Sequence, residues 1–293
     1  MSDLLFLVEV SLAGLGAGGL YALTGVAFVV IYKATRVVNL AIGELLMFGA
    51  YLFFGFSVGL ALPTWQAILL ALVGGGILGA VIERSVIRPM LGESAISVFM
   101  VTIGLGSILV GLVEVIWSPD PRRLPEFMPN APIFIGDAYL SPKVGYGFLV
   151  AAAVIAAFLL VFRFWRGGVA LRATATDQAA AYSVGINVPA VFSLAWVVGC
   201  VAATGAGILV GAIGGISSTM GVFGLSVLVV VIVGGLDSIL GALLGGLLIG
   251  LLEALAGSYL GGEYKLLVTF GLLVAILMVR PYGLFGTTEI ERL

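Results

Sequence analysis

Two acidic side chains in long apolar runs are candidates for chemistry: Glu44, and as a weaker candidate Glu253, whose neighbours the sequence does not identify. Glu44 follows Asn39 and Gly43 at the start of one run, and Glu253 lies within another. A charged side chain at the centre of a bilayer costs at least about 2.5–3.5 kcal/mol on insertion scales. A carboxylate at such a place therefore indicates contact with a polar solute or a cation. The alternative for Asn39, Gly43 and Glu44 is plain helix packing.

A second group of polar residues flanks a short apolar run in the C-terminal half. Ser217 and Ser218 precede the run at 222–234, and Asp237 follows it. Hydroxyl groups and free backbone groups at such breaks contact polar substrates in many transporters. Two tight loops at the membrane surfaces are the alternative. The other acidic residues of the apolar runs are predicted to lie near span ends, where interfacial water solvates them: Glu9, Glu83 and Glu114.

Several kinds of chemistry are excluded by residues that the sequence lacks. Histidine is absent, which excludes serine–histidine and cysteine–histidine nucleophile pairs and histidine-ligated metals. The single cysteine, Cys200, has no partner for an internal disulfide. None of the three lysines completes a Gly-x-x-x-x-Gly-Lys loop, so a P-loop for ATP is excluded. We predict a protein that is not an enzyme and that itself binds no cofactor or metal.

The composition is that of a protein whose solvent is the bilayer. Hydrophobic residues fill 61% of the 293 positions and charged residues only 10%, against about 25% in ordinary soluble domains. The 43 glycines allow close helix packing within lipid. A net charge of −2 provides no basic field for nucleic acid. The sequence predicts one all-α, polytopic membrane domain over residues 1–293.

A membrane-spanning helix needs about 20 apolar residues, and eight runs approach or exceed that length. They are 8–31, 39–58, 64–87, 95–117, 144–165, 189–213, 237–258 and 264–280. The ninth run, 222–234, is too short for a full span and predicts a half-helix or a re-entrant segment. The first and sixth spans are both glycine-rich, each precedes a polar break, and they run in opposite directions. This pattern is typical of an inverted repeat.

Lysine and arginine collect on one side of the predicted spans, which identifies the cytoplasmic side. The nine residues on that side are Lys33, Arg36, Arg84, Arg88, Arg163, Arg166, Arg172, Arg280 and Arg292. The four on the other side are Arg122, Arg123, Lys143 and Lys265. The N-terminus is then outside and the C-terminus inside if the run at 222–234 crosses the membrane. If that run only dips and returns, the last two helices are inverted.

Two hydrophilic stretches interrupt the spans. Residues 118–143 include six prolines, which predicts an extended, turn-rich periplasmic cap. Residues 163–189, on the cytoplasmic side, contain a run of alanines, with Gly185 placed to end a short helix and Pro189 to begin the next. A short helix presented between two spans is either a docking surface or an ordinary connector.

Several stretches resemble the permease subunits of branched-chain (hydrophobic) amino acid ABC transporters of the high-affinity LIV type. They are GLYALTGVAFVVIYKATRVVNLAIGELLMFGAY at 19–51, RATATDQAAAYSVGIN at 172–187, AWVVGCVAATGAGILVG at 195–211, GGLDSILGALLGGLLIG at 234–250 and RPYGLFG at 280–286. In this order they cover nearly the whole chain. The family commonly has histidine where this chain has Ile42.

The resemblance implies a permease subunit of an ATP-driven importer in the bacterial inner membrane. Its substrate would be a branched-chain or other hydrophobic amino acid, or a related small polar solute, delivered by a periplasmic binding protein. A second, homologous permease forming a heterodimer and two ATP-binding subunits that use ATP and Mg²⁺ would complete the complex. The alternative class is an ion-gradient-driven secondary transporter or channel, with Glu44 and Glu253 as proton or sodium sites.

By the same resemblance, the cytoplasmic segment 163–189 contains a coupling helix that fits a groove of the ATP-hydrolysing subunit. The residues assigned to this contact are Arg172, Asp177, Ala180, Ala181 and Gly185.

Overall fold

The fold is an α-helical membrane bundle, seen in a computed structural model that describes residues 2–287. Hydrocarbon offers no partner to a backbone N–H or C=O group, so a crossing segment must satisfy these groups itself, as a helix does. Seven helices of the described chain are long and apolar enough to cross a membrane. The predicted fold class, an all-α polytopic membrane protein, is confirmed.

The described residues form eleven α-helices and one small hairpin. The helices are α1 (Ser2–Thr35), α2 (Ile42–Phe54), α3 (Thr64–Ile82), α4 (Ala95–Trp117), α5 (Pro142–Phe164), α6 (Arg166–Thr176), α7 (Gln178–Ser183), α8 (Val188–Gly214), α9 (Phe223–Gly234), α10 (Ile239–Tyr259) and α11 (Tyr264–Val279). The strands β1 (Ile133–Ile135) and β2 (Ala138–Leu140) pair antiparallel. Wider π-helical turns extend α2 to Gly59 and α3 to Ile87. Shorter 3₁₀ turns lie at Arg88–Met90 and Ser218–Val222.

The two ends of the bundle differ in sequence. The cap face is the end that carries residues 118–141 with the β-hairpin, where the Tyr139 N–H donates to Glu9 Oε1 of α1 at 2.8 Å. The basic face is the opposite end, which carries α6 and α7. Lys33, Arg36 and Arg172 line one cavity there. Arg292, also predicted for this side, lies outside the described residues.

The second crossing of the chain is only partly helical. Helix α1 ends at Thr35 on the basic face, and Arg36 reverses the chain with a left-handed φ of 58°. Residues 36–41 then return into the bundle without helical structure before α2 begins. The side chain of Glu44, in the first turn of α2, packs against Gly106, the middle residue of α4. The N-terminus of α2 therefore lies at about half the depth of the membrane.

The crossing after α8 is interrupted in the same way. Helix α8 ends near the cap face, where Ile216 and Arg122 exchange two backbone hydrogen bonds of 2.8 Å. The chain then enters the bundle, and α9 leads to the basic face, where the Leu284 N–H donates to the Val233 carbonyl at 2.8 Å. Residues 215–234 thus cross as a whole, with only the second half as α-helix. The last two helices are not inverted, and Arg280 lies on the basic face.

Helices α1 and α10 pack closely because glycines face each other along their contact. A Cβ atom at Gly18 would lie 2.8 Å from both the Gly246 carbonyl oxygen and Leu247 Cα. A Cβ atom at Gly14 would lie 2.9 Å from the Gly250 carbonyl oxygen. In lipid such small residues allow the van der Waals contact that drives helix association.

Three details of the sequence reading are corrected. The first span is longer than 8–31, because α1 continues as helix at both ends of that run. The predicted eighth span, 264–280, forms α11, but its 16 residues leave it outside the seven described helices that are long enough to cross a membrane. Glu83 is not solvated at an interface: it is 1% exposed and forms a salt bridge of 2.9 Å with Arg88. The hydrogen-bond donors to Glu83 are Arg88, five residues later in the chain, and Ser193 of α8, whose hydroxyl donates to it at 2.7 Å.

We expect Gly18→Ala to destabilise the bundle, since the added methyl group overlaps the backbone of α10. Overpacking of this kind costs about 1–3 kcal/mol, and thermal unfolding in detergent should show a lower midpoint. Gly271→Ala on α11 is the matched control, because a Cβ atom there meets nothing within 4 Å. Equal midpoints for the two variants would contradict the proposed packing.

Candidate functional site

The two half-helices α2 and α9 meet inside the bundle at their N-terminal ends. A Cβ atom at Gly224 would lie 2.7 Å from both N and Cα of Gly43, so the two backbones are in direct contact. The helices run from this junction to opposite faces. This is the arrangement that the predicted inverted repeat requires, and it resembles the broken helices that line transporter sites at mid-membrane.

Glu44 occupies a narrow space that two other glycines leave open. A Cβ atom at Gly221 would lie 2.9 Å from Glu44 Oε1, and one at Gly106 would lie 3.2 Å from Glu44 Cδ. The Oε2 atom is buried and has no hydrogen-bond partner among the described residues. The positive end of the α2 dipole favours a carboxylate here. At this position, however, the Oε2 acceptor of Glu44 has no donor among the described residues.

Asn39 is the second polar group that lacks a partner. Its side chain is fully buried, and Oδ1 accepts from the Ala41 N–H at 3.0 Å. The Nδ2 amide has no hydrogen-bond partner among the described residues. Buried polar atoms are nearly always paired, so such a donor calls for an explanation in ligand or water binding. Thr102 of α4 holds the same segment in place by accepting from the Leu40 N–H at 3.3 Å.

Asn39 and Glu44 are both among the residues that line a cavity of about 260 Å³ between α2, α4 and α9, and their two unpaired atoms are buried beside it. Its polar lining is formed by Asn39, Glu44, Thr102 and Ser107, and its apolar lining includes Ile103, Val110, Leu225 and Leu228. Pockets for drug-sized ligands measure about 300–1,000 Å³, so this cavity suits a smaller solute. The site combines an acceptor, a donor and an apolar wall at half the membrane depth.

Glu253, a buried carboxylate of α10, is fully engaged in a hydroxyl network. It accepts from Tyr21 of α1 at 2.5 Å, from Ser226 of α9 at 3.0 Å and from Thr269 of α11 at 2.8 Å. Ser226 is one turn along α9 from the junction. The network therefore fixes α9 to its three neighbouring helices, and Glu253 contributes to the positioning of the half-helix.

The predicted pathway residues fall into three places. Asn39, Gly43 and Glu44 lie together at the junction. Ser217 and Ser218 lie on the way from the cap face to it, and the Ser217 hydroxyl is 2.9 Å from that of Thr219. Asp237 is on the basic face, where both the backbone N–H and the hydroxyl of Thr287 donate to it. The structure thus brings together the first three residues and separates them from Asp237.

The predicted coupling segment forms two short helices on the basic face. Asp177 separates α6 from α7 and caps α7 by accepting from the Ala180 N–H at 3.0 Å. Asp177, Ala180 and Gly185 are exposed, whereas Ala181 is buried against the bundle. The helix ends at Gly185 with a φ of 89°, as its sequence predicts. Arg172 is exposed but donates to the carbonyl groups of Phe162 and Arg163.

The predicted coupling segment contacts the segment that leads to the junction. Arg36 Nη2 is 3.5 Å from the Ala175 carbonyl oxygen, and Gln178 Nε2 is 3.5 Å from that of Ala34. Asn39 follows Arg36 by three positions in the sequence. A displacement of α6 and α7 is therefore transmitted to Arg36 through these contacts, and Arg36 is only three residues from Asn39 in the chain.

Several residues of the site were not predicted from the sequence. Gly221 directly precedes the short run and Gly224 lies three residues later inside it, a small-residue spacing that is a signal for close packing. Gly106 and Thr102 lie in an apolar helix with other glycines and hydroxyls, and nothing in that sequence separates them from ordinary packing residues. Gly106 and Thr102 belong to the site only because α4 packs against α2 in the folded chain.

These features define a multi-pass membrane protein that transports a small solute. A family model described as "Branched-chain amino acid transport system / permease component" matches residues 10–277. The chain belongs to this family of permeases, as its motifs predict.

Named relatives span almost the full chain. The high-affinity branched-chain amino acid transport system permease protein LivH of Salmonella typhimurium is 29% identical, covering 98% of each chain. The corresponding permease BraD of Pseudomonas aeruginosa is 30% identical over 95% of each. A probable branched-chain amino acid transport permease, LivH of Methanocaldococcus jannaschii, is 26% identical over 91% of this chain and 89% of its own.

We expect Tyr21→Phe to destabilise the helix bundle, because Glu253 loses one of its three hydroxyl donors inside the membrane. Leaving a buried acceptor without its partner costs about 1–3 kcal/mol. Thermal unfolding in detergent measures the change. Tyr259→Phe, at a tyrosine that is 55% exposed, removes the same hydroxyl group and should have little effect. A midpoint for Tyr21→Phe equal to that of the control would contradict the role of the network.

Proposed function

We propose that the chain is the membrane-spanning permease subunit of an ATP-driven importer for branched-chain or other hydrophobic amino acids. It acts as a transport subunit without catalytic activity of its own. The family supports the class of protein, and the names of the relatives support the substrate class.

The observation that carries this proposal is the junction of α2 and α9. Two helices begin at half the membrane depth beside a cavity whose lining residues include one with a buried unpaired donor and one with a buried unpaired acceptor. Unpaired polar groups inside a membrane are energetically costly, and residues that carry them are typical of substrate and ion pathways. The three predicted residues Asn39, Gly43 and Glu44 supply the polar part of the pathway, with Ser217 and Ser218 on its cap side.

The energy for transport is proposed to come from two partner subunits that bind ATP and Mg²⁺, since the chain has no P-loop. A second, homologous permease completes the membrane part as a heterodimer. A binding protein delivers the solute at the cap face, which the excess of basic residues at the other end identifies as periplasmic. The complex is then located in the bacterial inner membrane.

The coupling between ATP hydrolysis and the pathway is proposed to run through α6 and α7. Asp177, Ala180 and Gly185 present an exposed surface on the basic face, and Tyr182 and Val184 add apolar area, being 72% and 78% exposed. Arg172 and Ala181 hold this surface to the bundle. Movement of the surface changes the position of residues 34–39 and so the junction.

Purification of the affinity-tagged chain from membranes of its native host tests the proposal. We expect two ATP-hydrolysing subunits and a second permease to co-purify. Proteoliposomes containing this complex and the binding protein should accumulate leucine only with ATP. Uptake by the purified chain alone, driven by a sodium or proton gradient, would instead establish a secondary transporter or channel.

We expect Gly185→Leu to leave membrane insertion intact and to weaken the association with the ATPase subunits at least several-fold. A left-handed φ costs a non-glycine residue about 1–2 kcal/mol, and the larger side chain projects from the docking surface. Co-purification and ATP-dependent leucine uptake measure the effect.

Gly136→Leu in the cap hairpin is the matched control for this variant. Its φ is 65°, and a Cβ atom there also meets nothing within 4 Å. It therefore carries a similar backbone strain on the opposite face and should assemble normally. Full coupling in Gly185→Leu would exclude this segment as the ATPase contact.

A further inference from the structure

We propose that the junction binds the two charged groups of a zwitterionic α-amino acid separately. Glu44 receives the ammonium group, while Asn39 and the N-terminus of α2 receive the carboxylate. This inference rests on the proposed function, because it names the chemistry by which the permease itself recognises its substrate.

The acceptor side of the site is Glu44. Its Oε2 atom is buried without a hydrogen-bond donor, and no ion pair of the described residues includes this carboxylate. A buried charge is stable only when it is paired or hydrogen-bonded. An ammonium group in the adjoining cavity supplies both the opposite charge and three N–H donors.

The donor side is formed by Asn39 and the first turn of α2. The Asn39 side chain is fully buried, lines the cavity and has an unpaired Nδ2 amide. Helix α2 has no side-chain cap, and a helix leaves its first N–H groups without intrahelical partners. These donors and the helix dipole favour a negatively charged group. A carboxylate beside them satisfies both the amide and the helix end.

The apolar part of the cavity lining fits the aliphatic side chain of such a ligand. Its remaining wall consists largely of aliphatic residues, with Leu225 and Leu228 of α9 on one side and Ile103 and Val110 of α4 on the other. An aliphatic side chain gains by burial there, at about 25 cal/mol per Å² of apolar surface. A molecule with one ammonium, one carboxylate and a short aliphatic chain therefore matches the acceptor, the donor and the apolar part of the lining.

The test is equilibrium binding of radiolabelled leucine to the assembled complex in nanodiscs, without the binding protein. Two competitors each lack one charged group: 4-methyl-2-hydroxypentanoate lacks the ammonium group, and isopentylamine lacks the carboxylate. We expect leucine to compete at least about tenfold better than either analogue, since a lost hydrogen bond to a charged group costs that much affinity. Equal competition by either analogue would overturn the inference.

Two variants assign the charged groups to the residues. Glu44→Gln should abolish the preference for leucine over the hydroxy acid. Asn39→Asp keeps the acceptor for the Ala41 N–H but replaces the unpaired donor with an oxygen, and should abolish the preference for leucine over the amine. Glu114→Gln, an exposed carboxylate at the outer end of α4, is the control and should retain both preferences.

The ratios of affinity among the three ligands distinguish a loss of specific recognition from a general structural effect of the substitution. A variant that merely loosens the junction weakens all three ligands together and leaves their ratios unchanged, and that result in both variants would refute the assignment. Failure of the proposed function is a different result, in which the wild-type complex with its partners accumulates no amino acid. A complex that transports leucine but shows no direct binding of it would contradict only the present inference.

Discussion

The backbone contact between Gly43 and Gly224 is the constraint on which the rest of the structure depends. Two helices can begin inside a membrane only where their free N–H groups face protein or a polar cavity and not lipid. Side chains at these two positions would force the helix ends apart. With glycine at both, the ends of α2 and α9 meet within the protein, beside the cavity that Asn39 and Glu44 line.

The other features of the interior follow from this contact. Gly106 and Gly221 leave room for the Glu44 side chain in the first turn of α2. The Glu253 network binds α9 to α1, α10 and α11, so that the half-helix has a fixed position although it has only 12 residues. On the other side, the non-helical segment 36–41 is held to α4 by Thr102, which accepts from the Leu40 N–H, and by the internal hydrogen bond from the Ala41 N–H to Asn39. Side-chain hydrogen bonds thus position both members of the junction.

The sequence was sufficient to predict the parts of the fold that repeat a simple physical pattern. Apolar runs located the crossing segments, the bias of lysine and arginine located the basic face, and Gly185 and Pro189 marked the ends of helices. Asn39, Gly43 and Glu44 were found together because polar residues are costly in an apolar run. The contacts of Glu44 with Gly106 and Gly221 could not be predicted, since they join elements that are distant in the chain. Glu83 was misread for the same reason: its partner Ser193 lies on another helix.

The unequal lengths of the helices have a consequence for the lipid around them. At 1.5 Å per residue, α11 is about 24 Å long, which is shorter than a hydrocarbon core of about 30 Å. Most of its surface is exposed, and it begins beside Lys265 and ends before Arg280, whose long side chains reach towards the headgroups. A span shorter than the hydrocarbon core is accommodated by local thinning of the bilayer, by snorkelling side chains or by association with another helix. Because α11 supplies Thr269 to the Glu253 network, the helix on which any such mismatch acts is joined by that network to α9.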